Sequence, residues 1–268
     1  VDLLSLLREG ELTVEGRLVV ASNLTLLGRV THGDTSVRCV YKPVSGEQPL
    51  WDFPDGTLAA REAAAYEVSA AAGWELVPPT VLRPDGPFGA GMCQAWMDQG
   101  SAEVGAGRVD VVPASSSVDG WLPILQAVDG DGSPVLLVHA DDPGLRRLAV
   151  FDAVVNNADR KGGHVLTGDR SVAPSVAEVV GVDHGVCFNV DPKLRTVLWG
   201  WAGSALTPAE RSDLERLRAL VDGPLGATLG ALLADEEVAA TAERIDALLA
   251  RGAMPSPAGR MPVPWPVF

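Results

Sequence analysis

The alternation of apolar and polar positions divides the chain into a strand-rich first part and a helix-rich second part. Residues 3–9 fit a short helix. Leu12 to Ala21 and Thr25 to Val30 read as two strands interrupted at Ser22-Asn23. A third follows, Val37-Arg38-Cys39-Val40-Tyr41-Lys42, ended by Pro43. His32-Gly33-Asp34 supplies hairpin-turn residues between the second and third. Val44 to Gly56 has the Pro, Gly and Asp content of a loop. Thr57 to Ala72 is built almost wholly of Ala, Leu, Glu and Arg, which predicts a helix stopping at Gly73. Val77 to Leu82 and Gly91 to Met97 are further strands flanking the Pro84-Asp85-Gly86 turn.

Asp98 to Gly120 is rich in Gly, Ser and Asp and predicts a loop or linker. Beyond it, Trp121 to Val128 is a helical candidate, and Asp142 to Asn156 is a helix with an acidic start and an apolar interior. Short strands are expected at His164–Thr167 and Val179–Val182, helices over Pro208–Arg251, and an extended Pro-rich segment over Met254–Phe268. This order predicts an α+β protein of two lobes with a cleft at their junction. Residues 1–100 form an antiparallel-sheet N-lobe with one helix, and residues 101–268 a mainly helical C-lobe.

The chain has 268 residues, enough for two such lobes, and a net charge of −14. With no local cluster of Lys and Arg, an acidic surface argues against nucleic acid and anionic membranes as partners. The cysteines, Cys39, Cys93 and Cys187, are odd in number and widely spaced, which fits a reducing compartment. No stretch reaches the roughly 20 apolar residues of a membrane span, and Val1-Asp2-Leu3-Leu4 lacks the basic start of a signal peptide. These features lead to the expectation of a cytoplasmic protein without stable membrane insertion.

Chemistry concentrates in two segments. Phe151 to Leu166 runs from a helix through Asn156-Asn157-Ala158-Asp159-Arg160-Lys161-Gly162-Gly163-His164 into an apolar strand. A polar loop with an acid and two bases, held between rigid elements, suits catalytic groups; a helix cap followed by a surface turn is the bland alternative. Val182-Asp183-His184-Gly185 then puts an acid at a strand end beside a glycine. His164, His184 and Cys187 match no trusted zinc spacing. Trp199 and Trp201 could line an acceptor site, although packing is the commoner role of such a pair.

Together these segments resemble the phosphatidylinositol 3-/4-kinase-like and HipA-like atypical kinases, most closely the type II phosphatidylinositol 4-kinases. Asn157-Ala158-Asp159-Arg160 is similar to the Asn-Thr-Asp-Arg core of the family's catalytic loop, and Asp183 of Asp183-His184-Gly185 falls on its second acid. Val40-Tyr41-Lys42-Pro43 resembles the strand of the phosphate-contacting lysine, Arg61-Glu62-Ala63-Ala64-Ala65-Tyr66 the helix whose glutamate pairs with it, and Val77-Pro78-Pro79-Thr80 a segment after that helix. The matches spread over residues 15–205 in the family's order.

The resemblance implies a kinase-like fold that binds ATP and Mg²⁺ or Mn²⁺ between its lobes and transfers the γ-phosphate to a hydroxyl. It implies Asp159 as catalytic base, Lys42 on the phosphates with Glu62 orienting it (Glu67 competing), and Asp183 as metal ligand. Arg160 would brace the loop or pair with a carboxylate, and Asp152 would support the loop. Ser22, Asn23, Leu24 and Thr25 would cover the phosphates. Gln94, Ala95, Trp96 and Met97 would form the hinge, with backbone groups of Ala95 and Met97 reading the adenine edge.

Two departures matter. The family's metal-binding asparagine is His164 here, which suits Mn²⁺ better than Mg²⁺, weakens metal binding, or merely packs in the cleft. The phosphate turn has no glycine, whereas Lys161-Gly162-Gly163 offers a flexible approach to the γ-phosphate, with Lys161 as an offsetting charge or a plain surface lysine. The acceptor is a protein Ser/Thr, a small molecule or the chain itself. The rival readings are a nucleotide-binding pseudokinase acting as a regulatory or scaffold module, and a structural domain with no nucleotide site.

Overall fold

The computed structural model describes residues 2–18, 23–99 and 107–268. Helix α1 (Leu3–Glu9) is capped by the Asp2 carboxylate, which accepts from the Ser5 N–H at 3.0 Å. Strands β1 (Glu11–Arg17), β2 (Leu26–His32) and β3 (Thr35–Pro43) follow as an antiparallel meander, turning between the last two at Gly33 with φ +58°. Helix α2 (Leu58–Ala71) leads to β4 (Thr80–Arg83) and β5 (Gly91–Ala95). The sheet order is β1-β2-β3-β5-β4, so β5 lies beside the lysine-bearing β3. Buried Arg83 ties α1 to this sheet by donating to the carbonyls of Leu7 and Gly10, both at 2.9 Å.

The second half departs from the sequence expectation in one place. Trp121–Val128 is not helical but a strand, β7, and it pairs with β8 (Pro134–Ala140), which in turn pairs with β6 (Val109–Pro113). Pro123 disfavours a helix there, and cross-strand pairing with β8 decides the conformation. The region expected to be loop up to Gly120 thus contains β6. The division drawn at residue 100 falls at the edge of 100–106, which lie outside the described residues.

Helix α3 (Pro143–Val155) starts at Asp142, whose side chain accepts from the N–H groups of Gly144 and Leu145, and ends at Asn156 with φ +53°. It is buried along most of its length and runs straight at the polar loop. A short ribbon follows, β9 (Val165–Thr167) with β10 (Val179–Gly181), and then α4 (Pro208–Val221), α5 (Pro224–Gly230) and α6 (Asp235–Arg251). The Pro-rich tail lies beside the polar loop after α3: Gly162 donates to the Val267 carbonyl at 2.8 Å, and Thr196 to that of Pro262 at 3.1 Å.

His139 of β8 fastens the small sheet to the helical lobe. Its Nε2 accepts from the Gly200 N–H at 3.0 Å, its Nδ1 donates to Ala140 O at 2.9 Å, and its ring stacks against Trp201 at 4.4 Å. A side chain at 200 would collide with this ring, its Cβ meeting Nε2 at 2.5 Å, which explains the glycine between two buried tryptophans. Burial holds the His139 pKa below its ordinary 6.5. The unfolded chain therefore takes up a proton near pH 6.5 while the folded one does not, so this contribution is complete above 6.5 and is lost as pH falls. Urea titrations at pH 7.5 and 5.5 should show a loss of up to about 1.4 kcal/mol attributable to His139, absent in His139→Gln.

Candidate active site

Asp152 and Arg160 organise the polar loop that follows α3. Both are fully buried, and the guanidinium donates to the carboxylate at 2.9 Å from both Nε and Nη2. Its remaining donors reach the carbonyls of Val182 (2.9 Å) and His164 (3.3 Å) and His184 Nε2 (2.7 Å). Asn157 donates to Asp152 Oδ1 and accepts from the Asp159 N–H at 2.9 Å, which sets the backbone of Asp159. Of the roles considered for Arg160, the observed one is bracing and carboxylate pairing; no part of it is exposed to the cleft.

Lys42 Nζ lies 2.6 Å from Glu62 Oε1 and 2.8 Å from Asp183 Oδ1, so one cation joins β3, α2 and the segment after β10. Glu62 rather than Glu67 makes this contact, and its second oxygen accepts the His184 N–H at 2.9 Å. Asp183 has φ +61°, a conformation more accessible to Asp than to most side chains, and its backbone neighbours are held on both sides. Burial works against the charge on Lys42, but Asp183 and Glu62 outweigh it and raise its pKa. Lys42 in turn holds the Asp183 carboxyl well below the usual carboxylate range.

Asp159 faces Lys161 at 3.3 Å and is partly buried. Burial raises its pKa, Lys161 opposes, and the charge of Asp183 adds to the rise, a direction that suits a proton acceptor. His164 Nε2 lies 3.5 Å from Asp183 Oδ2, and its Nδ1 is buried without a hydrogen-bond partner. Burial lowers the His164 pKa to about 4, so the imidazole is neutral at pH 7 with a lone pair to offer. A carboxylate oxygen beside a neutral imidazole fits a divalent transition ion such as Mn²⁺ better than Mg²⁺. Among the described residues no three His, Cys, Asp or Glu side chains gather as a complete cage, so further ligands would have to come from phosphate or water.

The segments expected to meet a nucleotide are differently engaged. Ser22 lies outside the described residues. The Leu24 N–H is donated to Gly46 O at 3.0 Å, Asn23 Oδ1 accepts from the Gln48 N–H at 2.8 Å, and the Thr25 hydroxyl donates to Asn23 O at 3.3 Å. The first two bonds latch the turn onto the β3–α2 connection and the third closes within the turn, so none of these three groups stands free for phosphate. At the hinge, the Ala95 N–H is already donated to Pro79 O at 2.9 Å, leaving only its carbonyl for a base edge. Met97 O accepts from Gln99 Nε2, Gln94 bonds Thr80, and Trp96 packs on Arg38. Gly162 is likewise not a flexibility device: the Phe268 ring would lie 2.4 Å from a Cβ there.

Sequence reasoning missed Glu47, Arg61 and Glu237. Glu47 caps α2 from within the loop by accepting the N–H groups of Leu58 and Ala59 at 3.1 and 2.9 Å. Its distance from the helix start carries no local capping signature, and nothing in the sequence links Arg61 to a residue as remote as Glu237.

No protein-family model matches the chain. Its fold is that of the two-lobed kinase-like proteins. It superposes on a structure of the Golgi casein kinase with Mn/ADP bound at a TM-score of 0.56, with 12% identity, covering 93% of this chain and 74% of that one. It superposes on hydra Fam20 with sugar at 0.51, with 12% identity, covering 92% and 85%. Within that class the chain belongs to the family of protein Rv2133c of Mycobacterium tuberculosis, with 50% identity over 273 residues, 98% of this chain and 95% of that protein. No helix among the described residues is long and apolar enough to cross a membrane.

Breaking the Asp152–Arg160 pair from one side leaves an uncompensated buried charge. Arg160→Met should cost about 3–5 kcal/mol in urea unfolding, and Asp152→Leu/Arg160→Met should recover most of that loss.

Proposed function

We propose that the protein is an ATP-dependent phosphotransferase acting on a hydroxyl of a protein Ser/Thr or a small molecule, with self-phosphorylation included. The observation that carries this reading is Lys42 Nζ held between Glu62 and Asp183, beside a braced loop that presents Asp159. Phosphoryl transfer needs positioning and charge neutralisation, and these residues supply both. Lys42 binds phosphate oxygens, Glu62 fixes its rotamer, and Asp159, with its raised pKa, accepts the proton of the attacking hydroxyl. Lys161 offsets charge at the transferred group. Arg160 acts only through the loop it braces.

Asp183 and His164 would hold a divalent ion, which when bound neutralises phosphate charge. The Golgi casein kinase structure contains Mn and ADP, which supports a preference for Mn²⁺ here. Hydra Fam20 was solved with a sugar, which keeps small hydroxyl-bearing acceptors beside protein ones. The finer likeness to type II phosphatidylinositol 4-kinases rests on motifs alone, and the acidic chain favours a non-lipid acceptor. A nucleotide-binding pseudokinase is the second reading, favoured by the engaged N–H of Leu24 and the engaged Asn23 side chain.

The deciding measurement is ATP turnover with Mn²⁺ and with Mg²⁺. Turnover should be faster with Mn²⁺ and fall about 100-fold or more in Asp159→Ala and Asp183→Ala. His164→Asn should move the preference toward Mg²⁺. Nucleotide binding without turnover in either metal, across protein and sugar acceptors, would select the pseudokinase.

A further inference from the structure

Arg61 directly precedes Glu62 on α2 and engages a different set of partners. Its guanidinium is 1% exposed. One terminal nitrogen lies 2.5 Å from Glu237 Oε1 in the first turn of α6, and the other donates to the Cys187 carbonyl at 2.8 Å. The Phe53 ring centroid is 4.8 Å from its Cζ. The second oxygen of Glu237 accepts the Ala234 N–H at 3.1 Å, so one carboxylate serves both the start of α6 and α2. Cys187 follows Asp183-His184-Gly185, and the same guanidinium therefore touches the segment bearing Asp183.

The far end of α2 is held in the same way. Arg216 of α4 donates to Ala72 O at 2.8 Å, and Trp74 Nε1 donates to Asp213 at 3.0 Å. Ala64, Ala65 and Val68 of α2 are buried in the core of the helical lobe, where their small side chains allow close packing. Helix α2 is thus anchored to the helical lobe at both ends, although it carries the glutamate that orients a lysine of the sheet. An outward swing of α2 would strand two buried charges at once, Arg61 and Glu237, which low-dielectric surroundings resist strongly.

We infer that Arg61 and Glu237 are positioning residues for the Lys42–Glu62 pair, fixing α2 so that the phosphate-binding lysine is assembled without a modification or a partner. The functional meaning of this tether rests on the phosphotransferase reading above; the tether itself does not. A convenient property makes it measurable: the chain has only three lysines, Lys42, Lys161 and Lys193. The acylation rate of Lys42 by an amine-reactive ester, relative to the other two, reports whether Glu62 still holds it.

The test uses the whole chain carrying Arg61→Met or Glu237→Gln, with Lys42 acylation read by peptide mass spectrometry beside kcat and KM for ATP. In Arg61→Met, Lys42 acylation should rise at least about tenfold, and kcat should fall about 10- to 100-fold with KM changed little. Glu237→Gln, which keeps an oxygen for Arg61, should lie between this variant and wild type. Arg146→Ala breaks an ion pair with Glu210 at 2.6 Å between α3 and α4, so it reports general loss of stability, and it should leave Lys42 as protected as before. A folded Arg61→Met protein with unchanged Lys42 acylation overturns the proposal, as does an equal rise in Arg146→Ala. If Arg61→Met fails to fold, Glu237→Gln decides on the same readout. A wild-type protein without turnover removes the phosphotransferase reading, and the Lys42 comparison still decides the tether.

Discussion

The buried pair of Asp152 and Arg160 is the constraint around which the site is arranged. A guanidinium and a carboxylate, both without solvent, are tolerated only if their hydrogen-bonding capacity is almost wholly used. Here that demand recruits the end of α3, the carbonyls of His164 and Val182 and the ring of His184. The loop carrying Asp159 and the segment carrying Asp183 therefore share one anchor, and neither can shift without leaving an orphaned donor. Burial first, and the adjacent Arg160 cation second, push the His184 pKa well down, so Nε2 can accept from Arg160.

Lys42 repeats this logic across the cleft. One cation satisfies a carboxylate from α2 and one from the segment after β10, joining sheet to helical lobe by charge. The surplus negative charge on this trio and the lone pair of His164 leave a site poised for added positive charge. Burial chiefly raises the pKa of Asp159, and the ionised Asp183 near it adds to the rise. The groups that would bind and those that would react are thus tuned by burial and by one another together.

Much of this was legible along the chain because the relevant signals are local. Alanine-rich α2, the Asp142-capped α3 and the turn residues of the first meander each encode their own conformation, and motif order brought Lys42, Glu62, Asp159 and Asp183 onto one reading. The small sheet was not legible: Trp121–Val128 gains its strand conformation from pairing with Pro134–Ala140, a tertiary effect that overrides a short segment's preference. The contacts of Asn23, Leu24 and Ala95 were not legible for a related reason. Whether a polar group is free depends on what packs beside it: Asn23 Oδ1 accepts from the Gln48 N–H, and the N–H groups of Leu24 and Ala95 are donated to Gly46 O and Pro79 O. Gly162 read as part of a flexible approach and is a packing residue, set by a ring from the far end of the sequence.

The latch over the phosphate turn extends further than the turn itself. Leu24 and Asn23 hang from residues 46 and 48, and Glu47 between them caps the first turn of α2. Turn, connection and helix start form one continuous hydrogen-bonded run. Displacing Asn23 and Leu24 therefore pulls on the cap of the helix that carries Glu62. Movement of this segment and fraying at the start of α2 become linked equilibria: whatever steadies that first turn also sets how readily the connection yields.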